Sequence, residues 1–213
     1  MSTSDGVGAR VVQTAGPVLI IGSGLLGASL GLALRAGGVR VYLEDASPTS
    51  LRLASDVGAG QAFGDVLAEA GVHPRECGSD TPSYQAPSIV VVATPPDVAD
   101  RVIVESLLRF PDAIVTDVAS VKDAIVADVL RGLEREGRLE EASRYVGSHP
   151  MAGRERSGAG AADADLFYGR PWVIVAHEST WPRAVLVARA LATDVGAVPL
   201  EMNAGTHDHA VAL

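Results

Sequence analysis

The sequence predicts an α/β protein built on a doubly wound, mainly parallel sheet. Three observations carry this reading. Short, uninterrupted apolar runs recur along the chain: "PVLIIG" (17–22), "SIVVVATPP" (88–96) and "AIVTDVAS" (113–120). Such runs fit strands buried on both faces of a parallel sheet. Helical segments alternate with them from one end to the other. A glycine-rich turn, "GSGLLG" (22–27), joins the first run directly to the first helical segment.

The elements follow in order. Residues 1–16 are expected to form a flexible leader. "PVLIIG" is the first strand, and "LLGASLGLALRAGG" reads as a helix ending in a glycine pair suited to a C-cap. "VRVYLED" (39–45) alternates and reads as the second strand. "SPTSLRLASDVGA" fits a helix with Ser47 as N-cap and Pro48 at the first helical position. Residues 64–78 read as a less regular helix and a loop. "SIVVVATPP" is a strand stopped by a Thr-Pro-Pro turn, followed by the helix "DVADRVIVESLLRF". "AIVTDVAS" leads into the helix "VKDAIVADVLRGLERE", and "RYVGSHP" reads as a short strand and loop. "PWVIVAH" (171–177) and "AVPLEM" (197–202) are strands on either side of the helix "WPRAVLVARALATDV". "GTHDHAVAL" looks like the beginning of a further helix. The division expected is a leader (1–16), one large domain (17–203) and the start of a second, helical domain (204–213).

Composition narrows the function classes. The formal net charge is −9, with no Lys/Arg cluster, which argues against non-specific nucleic-acid or anionic-membrane binding. Backbone N–H groups at a helix N-terminus can still hold a phosphate-bearing cofactor. Cys77 is the only cysteine, so neither an intrachain disulfide nor a CxxC-type zinc site is available, and no metal is expected. With no signal peptide and no membrane span in view, a cytoplasmic protein is expected.

The turn Gly22-Ser23-Gly24-Leu25-Leu26-Gly27 matches G-x-G-x-x-G. Its context, a buried strand before and a helix after, is that of a Rossmann-type dinucleotide site. Gly22 would make the tight turn, Gly24 would let the backbone approach a pyrophosphate, and Gly27 would let helix and strand pack closely. The second strand ends at Glu44-Asp45, about 20 residues on, where a carboxylate receives the adenosine ribose hydroxyls. Asp45 is the expected acid. No Arg follows it, so NAD is expected in preference to NADP. A plain glycine turn beside a solvated acid is the bland alternative.

Ligands of such sheets lie outside the carboxyl ends of the strands. "ATPP" places Thr94 and Pro95 on that rim, and "TDVASVK" (116–122) places Asp117, Ser120 and Lys122 there. Asp117 is expected at the cofactor. Ser120 is equally a helix N-cap and a site residue, and Lys122 is expected to be solvated.

Downstream stands "GSHPMAGRERSG" (147–158), a lone histidine between Ser and Pro in a glycine-rich stretch. With "GSGLLG", "TDVASVK" and the His207-Asp208 pair, this stretch makes the chain resemble the prephenate dehydrogenase family, arogenate and cyclohexadienyl dehydrogenases included, from about Val18 onward. The "GSHPMAG-x-E-x-SG" pattern is its specific part. The resemblance implies NAD-dependent oxidative decarboxylation of prephenate to 4-hydroxyphenylpyruvate, on the route to tyrosine. It implies that His149 is the catalytic histidine at the ring hydroxyl, and that Ser120 hydrogen-bonds and orients its imidazole. It also implies that Gly153 lets the loop approach the substrate, that Glu155 gates or positions, and that His207 has a role near the substrate. Arg154 and Arg156 are expected to face water, and His73 and His177 to be structural or surface residues.

Family members continue past the "HD" pair into a helical domain that forms a homodimer and grips the substrate. The chain is therefore expected to bind NAD but to turn over prephenate poorly by itself. Three other readings stay open: arogenate as the substrate in place of prephenate, another Rossmann hydroxyacid dehydrogenase, and a non-catalytic NAD-binding module.

Overall fold

The computed structural model describes residues 12–153 and 158–211. Eight strands form a single sheet in the order β3-β2-β1-β4-β5-β6-β7-β8. The strands are β1 (Val18–Ile21), β2 (Val41–Glu44), β3 (Gln61–Ala62), β4 (Ile89–Val92), β5 (Ile114–Asp117), β6 (Tyr145–Pro150), β7 (Pro171–Val175) and β8 (Val198–Met202). The helices are α1 (Leu25–Ala36), α2 (Pro48–Asp56), α3 (Phe63–Ala70), α4 (Pro96–Arg109), α5 (Asp123–Arg135), α6 (Pro182–Asp194) and α7 (Ala204–Val211). Every neighbouring pair is parallel except β6 with β7. No helix among the described residues is long and apolar enough to cross a membrane.

The apolar runs are explained by burial on two faces. Val18 and Ile20 of β1 pack with Leu30 and Leu34 of α1 on one side, together with Val91. Leu19, Val90 and Val92 point to the other side and meet Ile103 and Leu107 of α4. The alternation expected of β2 does not appear in its burial: Val41, Tyr42 and Leu43 are all buried, because helices cover this interior strand from both sides. The two-residue β3 has no periodic signal and escapes the sequence reading. As expected, Ser47 caps α2, its Oγ accepting from the Ser50 N–H at 3.2 Å.

The end of the supposed leader is held in place. Asp194, at the end of α6, accepts from the N–H groups of Gln13 (3.0 Å) and Thr14 (2.6 Å). Residues 12–16 thus run on the domain surface, whereas 1–11 lie outside the described residues.

Sheet order fixes where a ligand can bind. From β1 the chain moves outward to β2 and β3, then returns to the other side of β1 with β4. The reversal opens a crevice between the carboxyl ends of β1 and β4, the switch point of such folds. The carboxyl ends of β5 and β6 lie on the same rim, because both run parallel to β1.

Candidate active site

A cleft of about 810 Å³ occupies the switch point, lined by Gly22, Gly24, Leu25 and Leu26 of the glycine turn and α1, by Glu44, Asp45 and Ser50, and by Thr94 and Pro95. Each glycine of the turn has its own reason. Gly22 has φ +104°, and a Cβ there would lie 2.5 Å from the Ala93 carbonyl oxygen. A Cβ on Gly27 would lie 1.9 Å from the Gly22 carbonyl oxygen, so α1 could not sit this close to β1. Around Gly24 the space is open for 4 Å, which leaves the helix N-terminus accessible.

Asp45 is tied into this turn. Its carboxylate accepts from the Ser23 N–H at 2.6 Å and the Ser47 N–H at 2.7 Å, one bond to each oxygen. The acid is thereby oriented at the cleft with lone pairs to spare. Ser23 Oγ and Thr94 Oγ1 are buried and take no hydrogen-bond partner. A dinucleotide fits this arrangement: an accessible helix N-terminus for phosphate, a fixed carboxylate for ribose, and polar atoms that lack partners.

Asp117 does not join the cleft. Its carboxylate is fully buried and accepts from Lys122 Nζ, from Tyr145 Oη at 2.8 Å and from the Ala119 N–H at 2.9 Å. Lys122, expected to be solvated, is 0% exposed. The two corrections have one cause. A charge buried at the end of a central strand needs a counter-charge, and the turn into α5 folds Lys122 back onto Asp117. Burial and the neighbouring carboxylate hold the Tyr145 hydroxyl well above its usual range.

His149 lies on a strand. Parallel pairing of β5 with β6 involves Tyr145 and Val146, and from Gly147 to Pro150 the strand is held by antiparallel β7. His149 therefore projects from a rigid element just beyond the β5 rim. Its Nδ1 lies 2.9 Å from His207 Nε2. His207 is fully buried in α7, and its Nδ1 lies 2.6 Å from Asp208 Oδ1. Asp208 in turn accepts from the N–H groups of Lys122 (3.0 Å) and Asp123 (2.9 Å) at the start of α5. Asn203 caps α7, its Oδ1 accepting from the Thr206 N–H at 2.8 Å.

This chain fixes the tautomers. The Asp208 carboxylate only accepts, so His207 Nδ1 carries a proton, and with the ring in its neutral form Nε2 carries the lone pair. That lone pair accepts from His149 Nδ1–H. His149 Nε2 is then left bare, with no partner among the described residues. Burial, then the facing His207 and Lys122, lower the His149 pKa to about 4, so the ring is neutral at neutral pH. Burial would raise the Asp208 pKa, but the Asp123 N–H, His207 and the Lys122 N–H together hold it below the usual value.

Ser120, expected to orient His149, is exposed and makes no hydrogen bond to it; His207 takes that place. His207 itself is fully buried and stands behind His149. Gly153 is exposed with open space around it. Glu155, Arg154 and Arg156 lie outside the described residues. His73 is a surface residue, and His177 is half-buried against the Ala142 carbonyl oxygen at 3.0 Å.

Residues 30–201 match the family model described as the prephenate dehydrogenase nucleotide-binding domain. The chain belongs to the prephenate dehydrogenase family. A probable prephenate dehydrogenase of Streptomyces niveus, NovF, is 38% identical over 195 residues, covering 92% of this chain and 47% of that protein. The Aquifex aeolicus prephenate dehydrogenase, solved with hydroxyphenyl propionate and NAD+, superposes with a TM-score of 0.74 at 26% identity, over 92% of this chain and 63% of that one. A Synechocystis arogenate dehydrogenase gives 0.73 at 26% identity with the same coverage. The chain spans about half the length of the curated relatives it matches. In this family member the cleft and the histidine chain share one rim of the sheet.

Sequence reasoning missed the use of His207 and Asp208 as supports for His149. The signal was present in part: a His-Asp pair next to a capping Asn, at the start of the last helix.

Proposed function

We propose that this chain is the nucleotide-binding part of an NAD-dependent dehydrogenase that oxidises and decarboxylates prephenate. The observation that carries the reading is the bare Nε2 of His149 on the cofactor rim, its ring oriented through His207 and Asp208 and kept neutral chiefly by burial. Bound NAD+ supplies the hydride acceptor. The glycine turn and Asp45 would hold its phosphates and adenosine ribose, and Thr94 would sit along it.

His149 Nε2 takes the proton of the ring hydroxyl as that carbon becomes a carbonyl. The charge arising on the imidazole is offset through His207 by the Asp208 carboxylate. Loss of carbon dioxide then makes the ring aromatic. The neutral resting state of His149 serves this task, since a protonated ring has no lone pair to offer. Prephenate is preferred over arogenate because NovF, the 38% identical relative, carries the prephenate name.

The test is a single-turnover assay with the chain in excess over prephenate, with NAD+ present, following NADH absorbance. NADH formed by the natural chain and lost in His149→Ala is the expected result. Equal NADH from His149→Ala would overturn the assignment of the base, and NADH from arogenate alone would overturn the substrate.

A further inference from the structure

The cleft holds a cation that the sequence does not place there. Among the described residues lining it, Arg109 is the single basic side chain, against the acids Glu44, Asp45 and Glu105. Arg109 ends α4, 65 residues beyond Glu44, and its Nη1 lies 3.0 and 2.9 Å from the two Glu44 carboxylate oxygens. Its guanidinium carbon stands 5.4 Å from the Phe63 ring centroid and 5.0 Å from that of Phe110. Its Nε lies 3.3 Å from Cys77 Sγ. The guanidinium is thus neutralised, supported on aromatic faces and turned to protein partners.

A cofactor carrying a 2′-phosphate on the adenosine ribose needs a free cation beside that ribose. Asp45 marks the ribose position, and Glu44 precedes it on the same strand end. We propose that Glu44 is a specificity-determining residue: by engaging Arg109 it denies the cleft the cation that a 2′-phosphate would use. Asp45 repels the 2′-phosphate directly, and Glu44 withholds its counter-ion. The inference rests on the dinucleotide reading of this cleft.

The test is calorimetric binding of NAD+ and NADP+ to the natural chain, to Glu44→Gln and to Glu44→Gln/Arg109→Gln. Gln keeps the size of Glu and removes its charge, which leaves Arg109 uncompensated. Glu44→Gln should tighten NADP+ binding about tenfold. Its gain for NADP+ should exceed any change for NAD+, and an unchanged melting temperature reports an intact fold. The double variant should lose the gain. No gain in Glu44→Gln, a gain that survives in the double variant, or an equal gain for NAD+ would each overturn the inference while leaving the dinucleotide site standing. Failure of the natural chain to bind NAD+ would overturn the cleft reading and this inference together.

Discussion

His149 and His207 meet edge to face, with 2.9 Å between Nδ1 and Nε2 and their rings inclined at 78°. The contact joins β6 to α7 across 58 residues of sequence. Its polarity is dictated from the far end, by a carboxylate that the backbone N–H groups of Lys122 and Asp123, at the start of α5, keep in place. The His149 ring is therefore only as well oriented as α7 is docked.

The His149 ring should titrate near pH 4, against about 6.5 for a free histidine. A lowered folded pKa means that the unfolded chain binds more protons between these values, so stability is lost as pH falls from 6.5 toward 4. The shift corresponds to about 3 kcal/mol if fully expressed, and partial exposure of the ring reduces this to roughly 2. His149→Gln should flatten that part of the urea-measured stability profile, the remaining slope coming from His177, whose pKa is also lowered by burial, and toward the acid end from the lowered carboxylates Asp208 and Glu141. Ring-proton NMR gives the pKa directly, and a value near 6.5 would contradict the buried, His207-facing geometry.

Asp208→Asn should separate orientation from cofactor binding. The amide cannot hold His207 in one tautomer as the carboxylate does, so His149 loses its fixed acceptor. Single-turnover NADH formation should fall roughly a hundredfold, at the lower end of what a positioned base contributes. NAD+ affinity should be unchanged, and stability should drop by about 1 kcal/mol through the weakened cap on α5. An unchanged rate would mean that His207 does not orient the base.

Much of this architecture is legible in the sequence because its signals are local. β1, β4 and β5 announce themselves as apolar runs, and the glycine turn with Asp45 lies within one strand-helix-strand unit. What was not legible depends on distant chain. Asp117 resembles any strand-end acid until Lys122 is seen folded beneath it. Ser120 is nearer His149 in the motif order, but α7, delivered by β8, brings His207 instead. Arg109 meets Glu44 only through the tertiary fold, its long side chain running from the end of α4 to the Glu44 carboxylate.

The Asp117–Lys122 pair should behave as a buried ion pair. Lys122→Met leaves a charged carboxylate in the interior and should cost about 3–5 kcal/mol in urea unfolding. Adding Asp117→Asn removes the stranded charge and should recover most of that loss, Tyr145 Oη retaining an acceptor at the amide. Simple addition of the two single-variant losses in the double variant would show that the pair is not coupled.

Gly24 and Gly27 separate binding from folding within one turn. Gly27→Ala places a Cβ 1.9 Å from the Gly22 carbonyl oxygen, so α1 must shift off β1, and the melting temperature should fall by several degrees. Gly24 has φ −72°, a value alanine adopts freely, and no atom lies within 4 Å of where an alanine methyl would stand, so Gly24→Ala should melt as the natural chain does. That open space is where a pyrophosphate would approach the backbone. Gly24→Ala should therefore weaken NAD+ binding about tenfold or more in calorimetry, since an added methyl there displaces phosphate from the helix N-terminus. A variant that both folds and binds normally would show that the dinucleotide does not cross the turn at Gly24.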